Sequence, residues 1–151
     1  MANSDKKKER KTVKKPIEAL LRDDGVLVKS AENVERLSSR GYGVPRDGTL
    51  LLAFYEAMYL YSKGLIEVKN EKTGKTISFQ DLLKKYESAE KNAWVKYLIY
   101  RDLRSRGYVV REGFGLGADF RLYGRGEYGK DSADYIVYGI YEGLPLSLIH
   151  I

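Results

Sequence analysis

The chain has no cysteine, one histidine (His150), one tryptophan (Trp94) and three prolines among its 151 residues. Without cysteine there can be no disulfide framework, thiolate zinc site, iron–sulfur cluster or cysteine nucleophile. With a single histidine and no carboxylates at loop-ligand spacing, neither a metal site nor a cofactor is expected. No apolar run approaches the roughly 18 residues that span a bilayer, and the N-terminus lacks the apolar stretch of a signal peptide. A cytoplasmic protein with no membrane partner is expected. A hydrophobic fraction of 43% and a charged fraction of 32% suit a packed core, in one ordinary domain or two small ones.

The net charge of +6 is unevenly placed. Residues 1–15 carry seven bases (Lys6, Lys7, Lys8, Arg10, Lys11, Lys14, Lys15) and two acids (Asp5, Glu9). The remainder holds 20 bases and 19 acids, so the body is close to neutral. A polyanion would meet a basic arm rather than a basic body, and such an arm serves either solubility or nonspecific RNA attraction.

Local patterns predict an alternation of strands and helices. Ile17 to Leu21 and Val26 to Val28 flank Asp23-Asp24-Gly25 and read as a hairpin. Ser30 is placed to cap a helix through Ser39, with Gly41 just past its end. A turn follows, then a strand at Thr49 to Leu52 and a helix from Ala53 that Gly64 stops. Leu65 to Val68 reads as a strand, Asn70 to Lys75 as a polar turn, and Ser78 with Asp81 as a capping box. The segment from Ser78 to Arg106 is helical with a break near Ser88. Its second half is apolar enough to be buried on more than one side, which makes it the expected hub. Arg101, Arg104 and Arg106 suit the negative end of that helix, and Gly107 stops it. Three strands follow: Tyr108 to Arg111, Asp119 to Tyr123 and Tyr135 to Ile140.

Gly113, Gly115 and Gly117 match neither a dinucleotide fingerprint nor a Walker loop, and a bend or bulge between strands accounts for them. Thirteen tyrosines against four phenylalanines read mainly as core and rim residues, any of which could stack on a base.

The segment Tyr97 to Tyr123, YLIYRDLRSRGYVVREGFGLGADFRLY, resembles the archaeal tRNA-intron endonuclease family. It has in order a helix ending in a tyrosine- and arginine-rich stretch, a Gly-Tyr strand, a Gly-x-x-x-Gly connection and a strand ending Asp-Phe-x-x-Tyr. The likeness extends upstream through Leu51 to Val68 (LLAFYEAMYLYSKGLIEV) and covers about residues 17 to 140. It implies an α/β fold of two small mixed domains, the second of the family's catalytic type.

The resemblance implies cleavage of precursor tRNA at bulge-helix-bulge junctions without metal, leaving a 2′,3′-cyclic phosphate and a 5′-hydroxyl. The substrate's own 2′-hydroxyl attacks, while a tyrosine serves as base, a histidine as acid and a lysine as electrostatic stabiliser. Tyr123 stands at the tyrosine position. Because an unperturbed phenol is a poor base at neutral pH, positive charge is needed beside it, and Arg121, Arg125 and Lys130 are the local candidates, also for RNA contact. The histidine position falls on Asp131 or Ser132, neither of which substitutes simply as an acid.

The family's lysine would lie beyond Ile151, because the family's C-terminal domain continues past the strand that Tyr135 to Ile140 matches. Residues 146–151, LSLIHI, correspond to what a transposase mosaic-end adapter encodes in one frame. The expected organisation is therefore a disordered basic arm (1–16), an N-terminal α/β domain (17–88), a partial nuclease-like domain (89–145) and an adapter-derived tail foreign to the fold, which sets His150 aside. The resemblance implies a subunit of an endonuclease that is a homo- or hetero-oligomer, this chain being structural or an inactive, C-terminally truncated form. The alternative is a noncatalytic RNA-binding or assembly module with the same fold.

Overall fold

The structure, a computed structural model, describes residues 15–113, 119–124, 135–138 and 147–150. Five strands form the first sheet in the order β3-β4-β2-β1-β5. They are β1 (Ile17–Arg22), β2 (Gly25–Val28), β3 (Val44–Arg46), β4 (Thr49–Leu52) and β5 (Ile66–Asn70). The expected hairpin is present, with Leu21 opposite Val26, and β5 runs parallel to β1 with Ile17 opposite Ile66. Period-2 alternation turns Ile17, Ala19, Val26, Val28, Leu50, Leu52, Ile66 and Val68 into the core. The opposite face carries Glu18 and Lys69, paired at 2.9 Å.

Strand β3 occupies a stretch where the sequence pattern predicts a turn. It pairs with β4 through Val44–Leu51 and Arg46–Thr49, and all three of its residues are exposed. The connection is Asp47-Gly48, with φ of 51° and 81°, a pair of left-handed residues that matches the twist of a two-residue hairpin. Pro45 is tolerated because β3 is an edge strand, where a missing N–H costs the sheet nothing.

Helices α1 (Ala31–Ser39), α2 (Phe54–Ser62), α3 (Phe79–Ala89) and α4 (Ala93–Ser105) complete the layer. Gly41, Gly64 and Gly107 follow three of them with positive φ, as expected. Ser78 Oγ accepts from the Asp81 N–H at 3.1 Å at the start of α3. Ser30 precedes α1, but only its carbonyl takes part, accepting from Val34 N at 2.8 Å, and its side chain makes no cap bond. The break between α3 and α4 falls at the extended Glu90.

The hub is α2 rather than α4. Phe54 and every residue from Glu56 to Leu60 are buried, whereas α4 exposes Trp94 (42%) and Val95 (39%). Tyrosines do much of the filling. Tyr55 lies 4.8 Å from Tyr100 and 5.1 Å from Phe120 by ring centroids, and Phe54 stacks on Tyr86 at 5.5 Å. These offset and edge contacts each add a little beyond area burial.

The second sheet is antiparallel, in the order β6-β7-β8-β9, with β6 at Val109–Glu112, β7 at Phe120–Tyr123, β8 at Tyr135–Tyr138 and β9 at Ser147–His150. Val110, Phe120, Leu122 and Val137 face the core, which runs without interruption from the first sheet through the helices to the second. Most of the segment expected to stand outside the fold is strand β9, its backbone in register with β8 from Tyr135–His150 to Tyr138–Ser147. A strand of Leu, Ile and polar residues offers its N–H and C=O groups to any open sheet edge whatever its origin, and β8 supplies that edge.

Candidate functional site

Tyr123 closes β7 on the face opposite Phe120 and Leu122. Strand alternation sends Arg121 to that same face, two residues away. Arg121 Nε donates to the Tyr123 phenol oxygen at 3.1 Å, and its guanidinium lies 6.0 Å from the Tyr123 ring. Arg121 Nη1 also donates to the Glu112 carbonyl on β6 at 3.0 Å. The guanidinium thus ties the tyrosine oxygen to the neighbouring strand and puts a fixed positive charge against it. Of the three cations named from the sequence, the structure brings Arg121 to Tyr123. Arg125 and Lys130 lie outside the described residues, as do Asp131 and Ser132.

Gly113 N donates to the Asp119 carbonyl at 3.1 Å, which closes the connection that holds Gly115 and Gly117; those two glycines are outside the described residues. His150 takes its place on β9 in register with Tyr135, which in turn pairs with Leu122. Among the described residues no group of three or more His, Cys, Asp or Glu stands close enough to hold a metal ion, and no helix is long and apolar enough to cross a membrane.

Glu56, Arg104 and Arg111, which no sequence pattern joins, hold the strand β6–β7 unit against the first sheet. Glu56, buried at the start of α2, accepts from Gly43 N at 2.9 Å and from Ala53 N at 2.8 Å. Its Oε2 lies 3.3 Å from Arg111 Nη1 on β6. Arg111 also donates to the Gly41 carbonyl at 2.5 Å and the Gly43 carbonyl at 2.7 Å. Arg104 reaches the same loop from α4, donating to Arg40 O at 3.1 Å and Gly41 O at 2.8 Å while its guanidinium packs 3.9 Å from the Tyr42 ring. Gly43, at φ +71°, is required here because a Cβ would come within 2.7 Å of Leu50 Cγ. Arg104 is therefore a clamp on the loop after α1, more than a charge at a helix end. Arg106 keeps the simpler part, pairing with Asp102 at 3.1 Å. Burial lifts the Glu56 carboxyl above its ordinary value, against the opposing pull of Arg111, the two N–H donors and Arg104.

Between the two sheets lies a cavity of about 310 Å³ whose charged lining is Asp24, Glu90, Glu112, Asp119 and Lys96. Lys96 Nζ sits 2.8 Å from Glu90 and 3.6 Å from Asp119, leaving an excess of carboxylates. Tyr86 in its wall is held well above the ordinary phenol value, first by burial and then by Glu90, Asp119 and Glu112. A cleft of this sign repels phosphate.

Residues 17–83 match the family model described as tRNA intron endonuclease, N-terminal domain, and residues 93–151 the model described as tRNA intron endonuclease, catalytic C-terminal domain. The chain is 35% identical over 138 residues to a tRNA-splicing endonuclease of Methanococcus maripaludis, covering 91% of this chain and 77% of the relative. It is 34% identical over 136 residues to that of Pyrococcus horikoshii, at 89% and 77% coverage. Against that of Methanococcoides burtonii it is 38% identical over 126 residues, 83% of this chain and 34% of the longer relative.

Proposed function

Because this chain belongs to the tRNA intron endonuclease family, with both family domains matched in order, we propose that it is a subunit of a cytoplasmic, oligomeric endonuclease acting on precursor tRNA. The assembly cuts at bulge-helix-bulge junctions by attack of the substrate's 2′-hydroxyl on the adjacent phosphate. The 5′-oxygen leaves, giving a 2′,3′-cyclic phosphate and a 5′-hydroxyl.

The observation that carries the site assignment is the Arg121–Tyr123 contact. A phenol oxygen that takes a proton from the 2′-hydroxyl needs positive charge beside it, and Arg121 holds that charge in place on the same strand face. The acid is what this chain lacks. The family's histidine position falls on Asp131 or Ser132, and neither side chain type donates a proton readily at neutral pH. The chain therefore acts as a structural or inactive subunit: it keeps the Tyr123–Arg121 pair at the family's base position but leaves cleavage to a histidine-bearing partner. Arg125 and Lys130, just after Tyr123 in sequence, are assigned to RNA contact with Arg121.

The test is co-assembly with a histidine-bearing subunit of the family and incubation with a bulge-helix-bulge RNA. The expected result is cleavage at the two intron junctions with cyclic phosphate ends. A stable co-assembly that leaves the RNA intact would reject the endonuclease role and favour the noncatalytic RNA-binding module.

A further inference from the structure

One surface groove differs from the clefts between the sheets in both chemistry and charge. It has a volume of about 380 Å³ and is lined by Tyr61, Ser62, Phe79, Trp94, Tyr97 and Arg101. Trp94, Tyr97 and Arg101 fall at i, i+3 and i+7 of α4, on one helix face. The rings form a continuous series. Tyr61 lies 5.9 Å from Phe79, Phe79 lies 5.7 Å from Tyr97, and Tyr97 lies 5.4 Å from Trp94. The Arg101 guanidinium stands 5.8 Å from the Tyr97 ring.

Sequence pattern alone assigns Trp94 to the core of a buried helix, yet it is 42% exposed. Tyr97 beside it is buried. The groove's lining contains no carboxylate and no aliphatic side chain; it is four aromatics, a hydroxyl and a cation. The cleft lined by Asp24, Glu90, Glu112 and Asp119 has the opposite charge. A polyanion with flat, unpaired rings fits the first chemistry and is rejected by the second, because every nucleobase has a π-face and every nucleotide a phosphate.

We propose that the Trp94 groove is a stacking platform for an unpaired nucleotide of RNA, the base lying against Trp94 and Arg101 meeting a flanking phosphate. The inference deepens the proposed role in precursor-tRNA processing and rests on it for RNA as the polyanion. Fully paired RNA keeps its rings inside the helix and gains nothing from the platform, so the groove selects single-stranded or bulged segments.

Trp94 is the only tryptophan of the chain, which makes the test direct. The intact protein is titrated with a single-stranded oligoadenylate and with a blunt RNA duplex of equal length. Tryptophan emission is read in parallel with the anisotropy of the labelled RNA. The single strand should quench Trp94 with the same midpoint that anisotropy reports, while the duplex binds without quenching. Trp94→Ala should weaken single-strand binding about tenfold or more and leave duplex binding unchanged; Trp94→Phe should restore part of the loss. Arg101→Gln should lower the salt slope of single-strand binding by about one.

Anisotropy without any change in Trp94 emission, unchanged affinity in Trp94→Ala, or no single-strand binding at all would overturn the proposal. Emission that shifts with protein concentration in the absence of RNA would assign the groove to a second copy of the chain instead. Because these readouts need no cleavage, the platform and the endonuclease role can fail separately.

Discussion

Glu56 and Arg111, 55 residues apart in sequence, meet with Oε2 and Nη1 at 3.3 Å and with side chains only 6% and 12% exposed. The contact joins the first turn of α2 to strand β6, and through Gly41 and Gly43 both partners also grip the loop after α1. A carboxylate and a guanidinium out of water depend on each other, since either alone leaves an uncompensated buried charge.

Arg111→Met should therefore destabilise the protein by about 3–5 kcal/mol, measured by denaturant unfolding. The double variant Glu56→Gln/Arg111→Met should recover part of that loss, because it removes the stranded charge while the amide oxygen still accepts one backbone N–H. Equal losses in single and double variants would mean that the arginine's bonds to Gly41 and Gly43 carry the whole effect.

The same carboxyl sets a pH dependence. Its folded-state value is raised above the ordinary one, with burial the leading cause. The folded state then holds a proton that the unfolded state has released, so the contribution of Glu56 is fully present below the ordinary glutamate value and declines as pH rises through the folded value. Melting temperatures of wild type and Glu56→Gln across mildly acidic pH should show the wild type losing ground relative to the variant as pH increases. A parallel pair of curves would contradict the raised value.

Much of this architecture is legible along the chain because its signals are local. Strand alternation, the stops at Gly41, Gly64 and Gly107, and the cap at Ser78 act within a few residues of where they are read. Strand β3 was not expected: Asp47-Gly48 is a hairpin signal, but the strand's three exposed residues give no hydrophobic pattern and Pro45 argues against a central strand. The clamp is a different case. Arg104 and Arg111 satisfy carbonyls 63 to 70 residues away, and no spacing rule ties an arginine to the loop it closes. The role of α2 as hub was obscured because its nearly all-round apolar sequence, FYEAMYLYS, carries the same signal as α4, and only the fold shows that α4 exposes Trp94 and Val95. Tyr123 could be singled out only through family resemblance; the structure adds its contact with Arg121, which follows from the i, i+2 rule of a strand.

Strand β9 invites truncation. Deleting residues 146–151 removes the backbone partner of β8, and each lost hydrogen bond is worth about 0.5–1.5 kcal/mol, so the melting midpoint should fall. An unchanged midpoint would return the segment to the status of a tail foreign to the fold.

The basic arm makes a prediction about salt. Removing residues 1–15, with their seven bases, should weaken nonspecific RNA binding and flatten the dependence of log K on log salt, because fewer counterions are released. Retention of the full slope would leave solubility as the arm's purpose.

The claim that this chain is a structural subunit is tested most directly by incubating it alone with a bulge-helix-bulge precursor RNA and resolving the products. If Asp131 or Ser132 stands at the histidine position, as proposed, the predicted result is intact RNA, with no 2′,3′-cyclic phosphate ends at either junction. Site-specific cleavage by the chain alone, abolished in Tyr123→Phe, would contradict the account and make this chain a catalyst in its own right.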